Sequence, residues 1–348
     1  MTHFDPSFNY NQNQNNPYFM EMQRLAYYKQ KRSRDIQSLL GIGVLLGAAI
    51  LALLFMQVII VSALQLTPYR NVYDTSAAFQ NYFNIIAVHA TSMLFPFLLF
   101  ALITKNKREG RPLVPLKKLG ALRTSAWTGL GMGICLLANF AVQGIMKLVE
   151  LLGYKLTQPE MLEPKSIFDC VSVVIATAVV PAIFEEFAFR CCALGSLRKY
   201  GKGFAVFAVS IVFGLVHGNV IQFIFAFILG LVFGYITIVT DSVLPAMLIH
   251  GFNNGLSATS EILGYTSSEK VSTVIVGIIV LFWIAAAFAG LVYLAVTKQL
   301  VTKEILNEGK VKEPYALSFG GKLACLAPGL FVPFVLLIYL TTKFIEKI

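Results

Sequence analysis

Nine stretches of this chain are apolar and closely spaced, and that pattern constrains the fold more than any motif does. They lie at about 39–64, 79–104, 121–146, 168–195, 204–217, 220–240, 243–258, 271–297 and 323–342. The longer ones reach the roughly 20 residues a helix needs to cross a hydrocarbon core of about 30 Å. A backbone in lipid must satisfy its own hydrogen bonds, and these runs lack the alternation of barrel strands, so each is expected to be helical. Of 348 residues, 57% are hydrophobic and 13% charged, where an average soluble domain carries about 25% charged residues. A water-soluble enzyme, a secreted disulfide scaffold and a disordered chain are thereby excluded. The expected fold class is an all-α polytopic membrane protein of about eight or nine transmembrane helices.

The net charge of +10 is a topology signal and not a mark of nucleic-acid binding. With the N-terminus inside and nine alternating spans, the inner segments (the tail, 105–123, 196–203 and 298–322) hold 20 of the 28 Lys and Arg residues. The outer segments hold 7, and Arg190 alone lies within a span. This agrees with the positive-inside rule and predicts a multi-pass protein, fitting a prokaryotic plasma membrane, with a cytoplasmic N-terminus. Residues 1–38 read as a polar, basic tail, disordered because the run Asn11–Asn16 offers too little apolar surface to offset ordering. Residues 39–164 form N-terminal transmembrane helices, 165–258 a core that carries the polar motifs, and 259–348 C-terminal transmembrane helices. The five cysteines, an odd number within or beside apolar stretches, read as packing residues. His89, with no acidic residue in reach along its span, reads as a packed or hydrogen-bonded histidine.

Ionisable residues at membrane depth are expensive and mark functional sites by default. Here they cluster. One segment carries Glu185, Glu186 and Arg190, the next Phe213 and His217, and a third His250, Asn253 and Asn254. Glu186 and Arg190 stand four apart and share a helix face, so they can pair. Glu185 points about 100° away and is free to face another cavity. His250 and Asn254 share a face by the same spacing. Gly214, Gly218, Gly251 and Gly255 would let helices approach near the histidines. A Glu or His base can activate water for amide hydrolysis, while a second His and an Asn can donate to an oxyanion. Alternatively Glu185, His217 and His250 could hold a zinc ion with an open position for water. The two-histidine helix signature of zinc proteases is absent, and no Ser-His-Asp arrangement is readable.

The ordered motifs Glu185-Glu186-x-x-x-Arg190, Phe213-x-x-x-His217 and His250-x-x-x-Asn254 resemble the CPBP family. Its members are intramembrane proteases of the CAAX type and bacteriocin-processing relatives, also called Abi proteins. The resemblance spans about residues 165–258. It implies a bundle of about eight helices with a site opening towards the cytoplasm. It also implies that Glu185 and His217 activate water, that His250 and Asn254 hold the oxyanion, and that Glu186, Arg190 and Phe213 support the site. The family is described both as metal-dependent and as a metal-free glutamate type. The amide of Asn254 is better explained as a hydrogen-bond donor than as a ligand. The expected partners are the lipid bilayer and a peptide or membrane-anchored protein substrate, prenylated proteins being one class, with no nucleic acid. Two readings compete with the protease: a proton- or cation-coupled transporter, and a scaffold derived from a protease. A repeat-built transporter should show a second set of matching interrupted segments, and residues 39–160 and 260–348 contain no copy of the motifs.

Overall fold

The computed structural model describes residues 17–157, 162–301 and 313–347. All nine apolar segments are helices, and the protein is an almost entirely helical, multi-pass membrane protein. We number them with one short surface helix: α1 Pro17–Gln65, α2 Arg70–Thr75, α3 Ala77–Ile103, α4 Ala121–Leu151 and α5 Ile167–Tyr200. There follow α6 Lys202–Leu215, α7 Val220–Thr240, α8 Leu244–Thr266, α9 Glu269–Val296 and α10 Phe319–Thr342. Two three-residue strands, β1 Tyr154–Leu156 and β2 Ile345–Lys347, pair antiparallel.

Seven of these helices are long and apolar enough to cross a membrane, fewer than the nine segments read from sequence. The other two fall short for different reasons. Helix α6 has 14 residues, about 21 Å at 1.5 Å per residue, and turns back at Gly218, whose φ of +70° suits glycine. Helix α8 has 23 residues, but its cavity-facing His, Asn, Ser and Glu side chains lower its hydropathy. It also runs eight residues past the expected end at 258.

The tail reading needs correction. Residues 17–38 are not disordered but form the first half of α1. They are rich in Met, Gln, Arg and Lys, which are good helix formers, and they extend an existing helix without a new nucleation cost. The Asn11–Asn16 run and His3 lie outside the described residues.

Buried side chains fall into two apolar groups. One is built mainly from α1, α3, the second half of α5, α6 and α10. The other comes from α4, α7, α8 and α9. Helix α7 serves both, giving Ala226 and Ile238 to the first and Leu229, Phe233 and Ile236 to the second. Close backbone approach holds each group together: a methyl group on Gly47 would stand 2.0 Å from the Gly329 carbonyl oxygen across the α1–α10 crossing.

Connections gather on two opposite faces. On one, Lys31 pairs with Glu313, Arg198 reaches Asp241 at 2.9 Å, and the Val243 N–H donates to the Pro115 carbonyl at 2.8 Å. On the other, β1 meets β2, and Asp169 Oδ1 accepts from the Ala78 N–H at 3.0 Å. These are the groupings that alternating spans produce, and the first is the face rich in Lys and Arg.

Candidate active site

The site begins with a local irregularity in α5. Its backbone widens to π-helical turns at Ile175–Val179 and Phe187–Leu194, on either side of Glu185 and Glu186. Such bulges re-aim side chains and recur at functional sites. Pro181, between them, has no N–H to give to the carbonyl four residues back, that of Thr177. Asn254 Nδ2 supplies the missing hydrogen bond at 2.9 Å. A proline in one helix thus docks the amide of another.

Glu186 is completely buried, and its Oε1 is shared. Arg190 Nη1 stands 3.1 Å away and His250 Nδ1 2.9 Å away. The i, i+4 pairing of Glu186 with Arg190 is as the spacing predicts; the link to His250 is not readable from sequence. The Arg190 guanidinium is sandwiched between Phe213 and Phe233, its carbon 4.2 and 5.1 Å from the two ring centres. In a dry setting such contacts contribute about 2 kcal/mol. Phe213 therefore supports the site by covering a buried cation, and Phe233 joins it as a residue the motifs do not mark. The Phe233 ring also stacks on His250, with centres 5.5 Å apart.

Glu185 takes the other direction, as helix geometry demands. It lines a cavity of about 590 Å³ together with Phe213, His217, His250 and Asn254. The ionisable side chain it faces there is His250, Nε2 to Oε2 3.9 Å. His217 lies just past the end of α6, where the backbone turns. Its Nδ1 is 2.7 Å from the Phe213 carbonyl oxygen. A carbonyl only accepts, so Nδ1 carries the proton and Nε2 is left as an acceptor. Glu185, His217, His250 and Asn254 are brought to one cavity, while Glu186 and Arg190 sit behind it. Arg190 is 1% exposed, so it cannot meet solvent or substrate directly.

The cavity has members that sequence reading missed: Asn139, Thr177, Gln222, Ser257 and Glu261. Glu261 was recoverable, because it continues the face of His250, Asn254, Ser257 and Ala258 at helical spacing. Of the four glycines expected to ease packing, Gly214 does: a methyl group there would lie 2.9 Å from the Phe223 carbonyl oxygen. Gly251 and Gly255 do not, since added methyl groups would find ordinary contacts at 3.5 and 3.9 Å. His89 Nδ1 lies 3.4 Å from the Asn84 carbonyl oxygen, away from the site, and all five cysteines are free thiols.

The cavity's walls come chiefly from three helices. They use the start of α7 (Ile221–Leu229), the middle of α8 (His250–Glu261), and Thr177 to Glu185 of α5. The α7 stretch and the Glu261 end of the α8 stretch lie away from the face rich in Lys and Arg, while Glu185 and His250 lie nearer to it. Towards that face the site is closed by Glu186, Arg190 and Phe213, all at most 2% exposed.

Glu185, His217 and His250, the trio read as possible zinc ligands, line one cavity. Among the described residues no three His, Cys, Asp or Glu side chains are grouped to hold a metal ion. His250 directs Nδ1 to Glu186 and leaves Nε2 facing Glu185.

Residues 167–256 match the family described as Type II CAAX prenyl endopeptidase Rce1-like. The matched stretch runs from the start of α5 through most of α8 and contains all seven residues singled out by the three motifs. This quarter of the chain is what is similar to that family. No curated protein and no solved structure matches it.

Proposed function

We propose that this chain is an intramembrane endopeptidase in which Glu185 and His217 activate water without a metal ion. The observation that carries the reading is the division of the two adjacent glutamates. Glu186 is neutralised by Arg190 and held to His250, whereas Glu185 faces the cavity with no fixed cation beside it.

Water between the Glu185 carboxylate and the acceptor Nε2 of His217 gives up one proton as its oxygen attacks the peptide carbonyl. The carbonyl oxygen becomes an oxyanion, which Asn254 meets with its second Nδ2–H; the first is committed to Thr177. His250 donates from Nε2 when both its ring nitrogens carry protons, a form whose charge the flanking Glu185 and Glu186 balance. The proton taken from water passes to the leaving amine as the C–N bond breaks. Each developing charge lies in an apolar surround, where fixed donors act more strongly than in water.

The substrate on this reading is a peptide or membrane-anchored protein segment. The test is cleavage of a quenched peptide library by purified wild type and Glu185→Ala, each with and without a chelator. Wild-type cleavage that survives chelation and disappears in Glu185→Ala is the expected result. Equal cleavage by Glu185→Ala would overturn the assignment, and chelator-sensitive cleavage restored by zinc would overturn the metal-free mechanism.

A further inference from the structure

We infer that the protein binds one small monovalent anion, of the halide class, in a cavity beside the basic loops, where it supplies the counter-charge to Arg108. The inference does not depend on the peptidase reading. This cavity, of about 20 Å³, is separate from the candidate active site, and of the motif residues only Arg190 reaches it. Arg108 ends a four-residue turn, Lys105–Arg108, that follows α3. Arg190 and Arg198 come to the cavity from α5, and Thr237 from α7.

Charge is the first argument. Arg108 is 7% exposed. Its Nη2 donates to the Ala101 carbonyl, a neutral acceptor, and its Nη1 is buried with no hydrogen-bond partner among the described residues. Of the other cations lining the cavity, Arg190 pairs with Glu186 and Arg198 with Asp241, while Arg111 is exposed to water. Three guanidinium groups are thus met by two carboxylates, and the remainder is one positive charge, that of Arg108. A buried charge without a partner is costly, and a single monovalent anion balances it.

The donors left over fit a halide better than water. Arg190 Nε and Nη2, Arg198 Nε and Thr237 Oγ1 are also buried and without partners among the described residues. With Arg108 Nη1 they bring donors from four side chains to the lining of one space. Water is neutral and must itself donate two of its hydrogen bonds, whereas a halide accepts from every side, and charge strengthens each bond. A site for one water needs about 10–15 Å³, so a cavity of about 20 Å³ admits a single-atom anion and excludes phosphate or sulfate. The position gives the ion a task. Arg190 meets Glu186 as well as this cavity, and Glu186 in turn holds His250. An anion here fixes Arg190 from behind and ties the turn after α3 and the end of α7 to α5.

The test uses full-length protein in detergent, held at constant ionic strength with sodium gluconate and titrated with sodium chloride. The melting temperature of wild type should rise saturably with chloride, as binding to the folded state alone requires, and sulfate should leave it unchanged. Arg108→Gln should abolish the chloride response. That variant also loses a buried cation and its bond to Ala101, so Thr237→Val gives a second reading. It should fold and need about tenfold more chloride for half the response, the effect of one hydrogen bond to a charged group. Broadening of the chloride NMR line by wild type, reversed by bromide, reports the bound ion directly. A melting temperature indifferent to chloride, or an equal response to sulfate, would overturn the inference. A full response in Arg108→Gln, or in Thr237→Val should Arg108→Gln fail to fold, would place the ion elsewhere and overturn it too. An unbroadened chloride line would mean that the cavity holds water, with the same consequence.

Discussion

His250 Nδ1 lies 2.9 Å from Glu186 Oε1, the same oxygen that Arg190 approaches to 3.1 Å. One buried carboxylate thus anchors side chains from two helices, joining α5 to α8 directly behind the cavity. The two glutamates of the motif do different work because successive residues of a helix point about 100° apart: Glu186 fixes the wall, and Glu185 faces the space it bounds.

Substitution should separate those two roles. Glu185→Gln keeps shape and removes charge, so cleavage should fall at least ~100-fold, the lower end of what a positioned base contributes. Its melting temperature in detergent should stay close to wild type. Glu186→Gln leaves Arg190 buried beside Phe213 and Phe233 without its anion, and its melting temperature should drop clearly. A Glu186→Gln protein as stable as wild type would show that the ion pair is not what fixes the wall.

Arg190 gives a sharper form of the same test. Breaking a buried pair from one side strands the other charge and costs about 3–5 kcal/mol. Arg190→Ala should therefore reduce folded yield and thermal stability together with activity. Arg190→Lys should rescue little, because a lysine ammonium lacks the flat guanidinium that lies between two rings. Arg190→Met, neutral and comparable in length, still strands Glu186, so it should resemble Arg190→Ala in thermal denaturation.

How far the sequence discloses this arrangement depends on which contacts are local. The nine helices follow from apolar runs, and the Glu186–Arg190 pair from a spacing of four, because both are set within single segments. The link from His250 to Glu186 joins residues 64 apart, and no periodicity announces it. Phe233 is one aromatic among 28 phenylalanines, and only packing shows that it covers Arg190. Helix α8 looks finished at 258 because the cavity-facing Glu261 ends the apolar run, although the helix continues to Thr266. The full lining of the cavity depends on which stretches of α5, α7 and α8 meet, and no single segment discloses that.

Asn254 has two tasks that one pair of variants can distinguish. Asn254→Ala removes an oxyanion donor and should lower kcat by about 100-fold or more. It also strips the Thr177 carbonyl of its partner, costing about 1–3 kcal/mol. Pro181→Ala restores a backbone N–H able to reach that carbonyl. It should keep or raise thermal stability while lowering kcat, because Asn254 is no longer drawn to Thr177 and loses its fixed orientation. Unchanged kcat in Pro181→Ala would show that the amide is held without Thr177.

The glycines beside the histidines predict opposite outcomes for one added methyl group. At Gly214 the new carbon would stand 2.9 Å from both the Phe223 carbonyl oxygen and its ring. The α6–α7 hairpin must then open, at a cost of about 1–3 kcal/mol for overpacking. His217 follows three residues later and takes its orientation from the Phe213 carbonyl at 2.7 Å, so opening the hairpin should carry its base nitrogen away from Glu185. Gly214→Ala should therefore lose both stability and cleavage. At Gly251 the nearest atom would be Ala182 Cβ at 3.5 Å, an ordinary contact, and alanine favours helix over glycine by about 1 kcal/mol. Gly251→Ala should be as stable as wild type or more so, with cleavage intact. Thermal melts and cleavage rates of the two variants, measured side by side, check both; loss of activity in Gly251→Ala would mean that α5 and α8 must approach more closely during the reaction than they do at rest.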